Sequence, residues 1–143
     1  MKRTNLFLMA VAFLIAFSAA MSSCGKYEEG PNFSLASKKG RITNTWKLAE
    51  IYDDGVKEEL DADEVEILDI KKDDAFTWTH THDDHSDIEK GTWSFDSSKE
   101  HLVLTFDDGE KEEFKILRLT KNELWVVEEH GAHKHELRFV SAN

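Results

Sequence analysis

Residues 44–143 predict an all-β domain, an eight-stranded up-and-down antiparallel β-barrel, on three observations. From Thr45 onward the chain breaks into short apolar or alternating runs of strand length, regularly spaced by turn residues. The links are short, so neighbouring runs must pair as antiparallel hairpins, because a parallel crossover needs about a dozen residues or more. No proline follows Pro31, so nothing bars any run from a central position. A meander of eight strands removes its two open edges most simply by closing on itself.

The runs fall at 45–52, 64–71, 75–82, 88–95, 101–106, 111–119, 123–130 and 134–140. The first holds Trp46 and Leu48 but alternates poorly, as do the second and the sixth. Lys57–Leu68, which overlaps the second, is the one stretch whose spacing also suits a helix. In the third run Phe76, Trp78, His80 and His82 share one face, and Thr77, Thr79 and Thr81 share the other. The fourth ends in Trp93 and Phe95, the fifth carries Leu102, Leu104 and Phe106, and the eighth carries Leu137 and Phe139. Between them stand Lys72–Asp74, Asp83–Asp87, Asp96–Glu100, Asp107–Glu110, Thr120–Asn122 and Gly131–His133. Phe76, Trp78, Trp93, Phe95 and Phe106 are the expected lining of the interior. Two interiors stay open: one filled by its own side chains, and one with room for a small ligand.

Upstream, Lys2 and Arg3, a twelve-residue apolar run from Leu6 to Phe17, and Ser22-Ser23-Cys24 form a secretory leader. The run is too short to span a bilayer, which takes about 20 residues. The cysteine directly after small residues resembles a bacterial lipobox, which implies that Cys24 becomes the lipidated first residue of the mature chain. An ordinary cleaved signal with an incidental cysteine is the alternative. The expected organisation is thus a lipoprotein signal peptide over 1–23, a lipidated N-terminus and tether over 24–43, and the barrel over 44–143. Lys26 followed by Glu28 and Glu29 resembles a short surface-export signal, with a plain solvated linker as the other reading. The expected location is the outer membrane, lipid-anchored, with surface exposure following from the export reading.

Removing the leader takes the net charge from −11 to −13, because it carries two basic residues and no acidic one. Such a chain repels phosphate backbones, so nucleic acid is not an expected partner. It also repels anionic lipid headgroups, so membrane attachment is expected through acyl chains on Cys24. With the single cysteine modified, no thiol remains for a disulfide, a thiolate nucleophile or a zinc–cysteine site.

Three motifs then carry a resemblance. Asn44-Thr-Trp46-Lys-Leu, Gly91-Thr-Trp93-Ser-Phe with Leu102-Val-Leu-Thr, and Asn122-Glu-Leu124-Trp-Val resemble the extracytoplasmic lipocalin-like lipoproteins of Bacteroidetes. Phe33-Ser-Leu-Ala-Ser-Lys-Lys39 is similar to their lead-in. The resemblance implies a barrel with one open mouth that binds a small apolar or amphipathic ligand. It also implies that Trp46 and Arg138 form a structural pair at the closed end, arginine over indole.

Six of the seven histidines fall in two clusters, Thr79-His-Thr-His-Asp-Asp-His85 and His130-Gly-Ala-His-Lys-His135. Each occupies a hairpin turn, and alternate turns of an up-and-down barrel share an end, so both clusters meet at the expected mouth among many aspartates. His80 with His82, and His133 with His135, stand two apart on a strand and so point the same way. With His85 they form a candidate site for Zn²⁺ or Cu²⁺, cations that suit imidazole and carboxylate. A solvated acidic rim and a pH-sensitive gate near pH 6.5 remain the alternatives. No motif argues for catalysis, and no catalytic residue or certain cofactor is assigned. The protein is expected to act by binding. Its candidate partners are a small ligand in the barrel, a divalent metal at the rim, or an unidentified protein against the exterior.

Overall fold

The computed structural model describes residues 27–28 and 35–143. The expected signal peptide, Cys24 and Lys26 lie outside them. A short helix, α1 (Lys38–Ile42), precedes β1 (Asn44–Asp53), β2 (Val56–Glu58), β3 (Val65–Ile70), β4 (Ala75–His82) and β5 (His85–Phe95). Then follow β6 (His101–Phe106), β7 (Lys111–Leu119), β8 (Glu123–His130) and β9 (His133–Ser141). The strands neighbour one another in the order β2-β1-β3-β4-β5-β6-β7-β8-β9, and β1 also pairs with β9. Eight strands therefore close an antiparallel barrel, as the short links demand.

β2 is a strand that the sequence pattern does not announce. β1 pairs with β3 only over Asn44–Lys47, and beyond that its edge would be bare. Val56–Glu58 folds back to cover Ile51–Asp53 instead, which satisfies the open backbone groups there. The helix considered for Lys57–Leu68 is thus corrected to β2, a loop and the start of β3.

The poor alternation of the first and sixth runs also has a cause. The β1–β9 register shifts between Leu48 and Glu50, and the β7–β8 register shifts between Ile116 and Arg118. An extra residue in one strand flips the phase of every side chain beyond it. Leu48 is buried and Ile51, three residues on, packs against the core, and Ile116 and Leu117 are buried side by side.

The interior is filled from one end. Trp46, Phe76, Leu104, Leu124 and Phe139 are all but inaccessible, each contributing about 2–3 kcal/mol of burial. α1 sits over this end. Ser37 caps it by accepting the Gly40 N–H at 3.0 Å, and Ile42 seats its side chain in the core. Tyr27 is buried, and its hydroxyl donates to the Lys99 carbonyl at 3.1 Å. Lys38 donates to the same oxygen at 2.9 Å and lies 4.5 Å above the Tyr27 ring. The described part of the expected 24–43 tether is therefore built into the fold, because it supplies the apolar plug that the closed end needs.

The Trp46–Arg138 pair is corrected too. Trp46 stands opposite Ser141 on β9, while Arg138 stands opposite Glu50. Arg138 lies between buried Leu137 and Phe139 and so faces outward. There it stacks 4.0 Å from the Trp125 ring and 4.3 Å from Tyr52, and it pairs with Glu136 at 2.6 Å. Trp46 is covered by α1 instead, donating its Nε1–H to the Ile42 carbonyl at 2.8 Å.

Candidate functional site at the barrel mouth

The turns after β1, β4, β6 and β8 share one end, so both histidine hairpins meet at the mouth. His82 stands opposite His85, and His130 opposite His133. The side chains engage carboxylates. His133 Nδ1 lies 3.1 Å from Asp54, His85 Nε2 3.1 Å from Asp87, and His130 Nε2 2.8 Å from Glu128. His135 stands in register with Glu128 on one side and Asp53 on the other.

His80 and His82 share a face but have separate surroundings. His80 is half-buried and stacks on Trp78, with ring centroids 5.3 Å apart and planes 23° apart. Its Nδ1 lies 3.5 Å from Glu66 and its Nε2 3.3 Å from Glu89. Trp78 Nε1 donates to the other oxygen of Glu66 at 3.1 Å. His82 is exposed at the tip, where one ligand atom each from Asp63, His82 and Asp83 lies within 4.8 Å of the others. Among the described residues, that trio is where three such ligand atoms converge, whereas the His80 ring is turned to Glu66 and Glu89. Asp63 comes from the loop between β2 and β3, which sequence spacing could not place there.

The expected lining residues divide. Phe76, Trp78 and Trp93 are buried and pack within the core cluster. Phe76 meets Phe106 edge-on at 5.3 Å, and Trp93 meets Phe95 at 5.5 Å. Phe95 and Phe106 are only partly covered, like Ile51 and Leu60. Beside β2, an open hollow of about 440 Å³ is lined by Ala49, Lys57, Glu58, Glu59 and Leu60.

Four glutamates that sequence reasoning passed over complete the mouth. Glu66, Glu89, Glu112 and Glu128 occupy inward positions, two residues from Leu68, Gly91, Phe114 and Val126. Burial pushes the Glu112 carboxyl up, and the charges of Glu128, Glu89 and Glu110 push it further, against a smaller opposite effect of His80. Glu89, Glu112 and Glu128 therefore share one field, and Glu66 with Glu89 flanks the His80 ring beneath it. An acidic residue interrupting an inward apolar row was the available signal, and it was hidden among the chain's many acids.

Comparison with known proteins identifies a family and a structural relative. A family model described as a lipocalin-like domain matches residues 42–126. A lipocalin-like protein from Bacteroides uniformis ATCC 8492 superposes with a TM-score of 0.53 at 17% identity, covering 69% of this chain and 98% of that one. No curated protein matches the sequence.

Proposed function

The chain belongs to the lipocalin-like domain family, a ligand-binding type of fold, and from that premise we propose that it binds a small amphipathic ligand with a cationic head at the barrel mouth. It does so outside the cytoplasm, lipid-anchored at the outer membrane through Cys24. The observation that carries the reading is geometric: Glu66 and Glu89 flank the His80 ring on the Trp78 stack, Glu112 and Glu128 occupy inward positions at the same mouth, and burial with the charges of Glu128, Glu89 and Glu110 pushes the Glu112 carboxyl up. A cluster of like charges is relieved by a cation, and the relief is larger around the partly buried Glu112 and Glu128 than in bulk water. The half-covered Ile51, Leu60 and Phe106 offer apolar surface to the rest of such a ligand. The packed interior beneath favours a ligand seated at the mouth over one swallowed by the barrel.

The test is calorimetric titration of dodecyltrimethylammonium, dodecyl sulfate and dodecyl maltoside, each below its micelle concentration. The cationic amphiphile is expected to bind stoichiometrically and the anionic one not to bind. Glu89→Gln/Glu112→Gln is expected to weaken the cation about thirtyfold, since each of the two lost contacts is worth about 1 kcal/mol. Equal binding of dodecyl sulfate, or no effect of the variant, would sink the proposal.

A second reading rests on Asp63, His82 and Asp83, whose ligand atoms converge within 4.8 Å. We propose Zn²⁺ or Cu²⁺ there, with imidazole and two carboxylates as ligands. Stoichiometric metal binding abolished by His82→Ala but kept in His80→Ala supports it; the reverse pattern refutes it.

A further inference from the structure

Charge on this barrel is segregated by end. At the mouth, residues 53–64, 83–87, 107–110 and 129–134 hold fourteen acidic residues against two basic ones. At the closed end, α1 and residues 71–74, 96–100 and 120–122 hold seven basic residues against four acidic ones, and at the adjoining strand ends Asp69 and Glu123 pair with Lys71 and Arg118. Two of those four acids are engaged locally. Asp74 pairs with Lys39, and Asp96 accepts hydrogen bonds from the backbone of Glu100 and His101. Lys72 and Lys121 are exposed on separate turns there. The net charge of −11 conceals a basic face.

The chain enters at that same face. Tyr27 is tied to the Lys99 carbonyl in the β5–β6 turn, and Glu28 pairs with Lys115 at 2.6 Å. Upstream of Tyr27 the sequence holds Cys24 and, before it, the apolar run Leu6–Phe17. Three residues reach at most about 11 Å. A nine-residue strand is about 30 Å long and, tilted by roughly 40°, rises about 23 Å along the axis. A group on Cys24 is therefore tethered within about 11 Å of Tyr27, whose hydroxyl is fixed at the closed-end β5–β6 turn.

We propose that the closed end is a docking face for an anionic lipid surface. The membrane lies under α1 and the closed-end turns, and the acidic mouth points away into water. The orientation rests on the anchoring part of the proposed function, and the charge segregation is independent of it. Screening over about 8–10 Å lets the basic face act on lipid without cancellation by the distant acidic mouth.

The test uses the full chain, produced with its leader and reconstituted into phosphatidylcholine vesicles with or without 30% phosphatidylglycerol. Reporter cysteines are placed at Ser97→Cys on the closed end and Asp84→Cys at the mouth, each labelled with a fluorophore and quenched by nitroxide on lipid headgroups. Quenching at position 97 is expected to exceed that at 84 by at least threefold. Phosphatidylglycerol is expected to raise the ratio, and Lys72→Glu/Lys121→Glu is expected to remove that rise. Equal or reversed quenching in vesicle-bound protein overturns the orientation while leaving the anchor standing. Protein that does not remain with vesicles overturns both. A ratio indifferent to phosphatidylglycerol and to the charge reversal refutes the anionic-lipid face and leaves the basic residues to a protein partner.

Discussion

Replacing Gly91 with alanine tests the wall that carries the mouth. Gly91 on β5 faces Phe76 on β4 and Phe106 on β6 in register. A Cβ there would run into the Thr105 carbonyl oxygen, and would meet the Phe106 Cα and the Phe76 Cε1 at 2.9 Å each. Two of these obstacles are backbone, so no rotamer change relieves them, and β6 itself must move. Overpacking costs about 1–3 kcal/mol when side chains can adjust; with backbone in the way the upper end applies, about 3 kcal/mol. At about 4 °C per kcal/mol for a domain of this size, the melting temperature falls by about 12 °C. Gly109→Ala is the control. Nothing lies within 4 Å of its Cβ, but its φ of +93° burdens alanine with backbone strain alone, about 1 kcal/mol or about 4 °C. Near-UV circular dichroism during thermal unfolding reads both. A Gly91→Ala protein within 2 °C of the parent, or hurt less than Gly109→Ala, refutes the close β5–β6 approach.

The other predictions probe the mouth, the outer wall and the plug. Glu112→Gln is expected to raise the melting temperature at pH 7. The folded carboxyl is held above its ordinary range, so ionising it costs stability as pH rises through the folded value. The gain should vanish below about pH 4, where glutamate is protonated in both states, and a constant gain across pH would refute the assignment. Arg138→Lys keeps the charge but loses the flat stack between Trp125 and Tyr52, for an expected loss of about 1–2 kcal/mol in urea unfolding. No loss would mean that the ladder contributes nothing. Burial pushes the Tyr27 phenol up to about 12, ahead of opposing Arg41 and reinforcing Asp96 and Glu100. Its contribution is full below about pH 10 and lost between there and pH 12, so the parent should lose more stability than Tyr27→Phe across that window. Parallel curves would place Tyr27 outside the core.

What the sequence by itself determined is what neighbours along the chain decide. Phe76-Thr-Trp78-Thr-His80 alternates because a strand has a period of two, and links as short as Thr120-Lys-Asn122 leave only antiparallel pairing. Strand count around the barrel, the row of buried aromatics and the gathering of both histidine turns at one end follow from those facts. The tertiary structure decided everything that depends on register. The shift at Leu48/Glu50 sets Trp46 against Ser141 and turns Arg138 outward, and no local pattern announces where such a shift falls. The gap beyond Lys47 recruits β2, and the loop after it carries Asp63 to His82. Closure also decided which acids matter. Glu89, Glu112 and Glu128 come from three strands and become one field only when the barrel brings their inward faces together. Burial and Coulomb interaction depend on distance in space, which the order of residues along the chain does not contain.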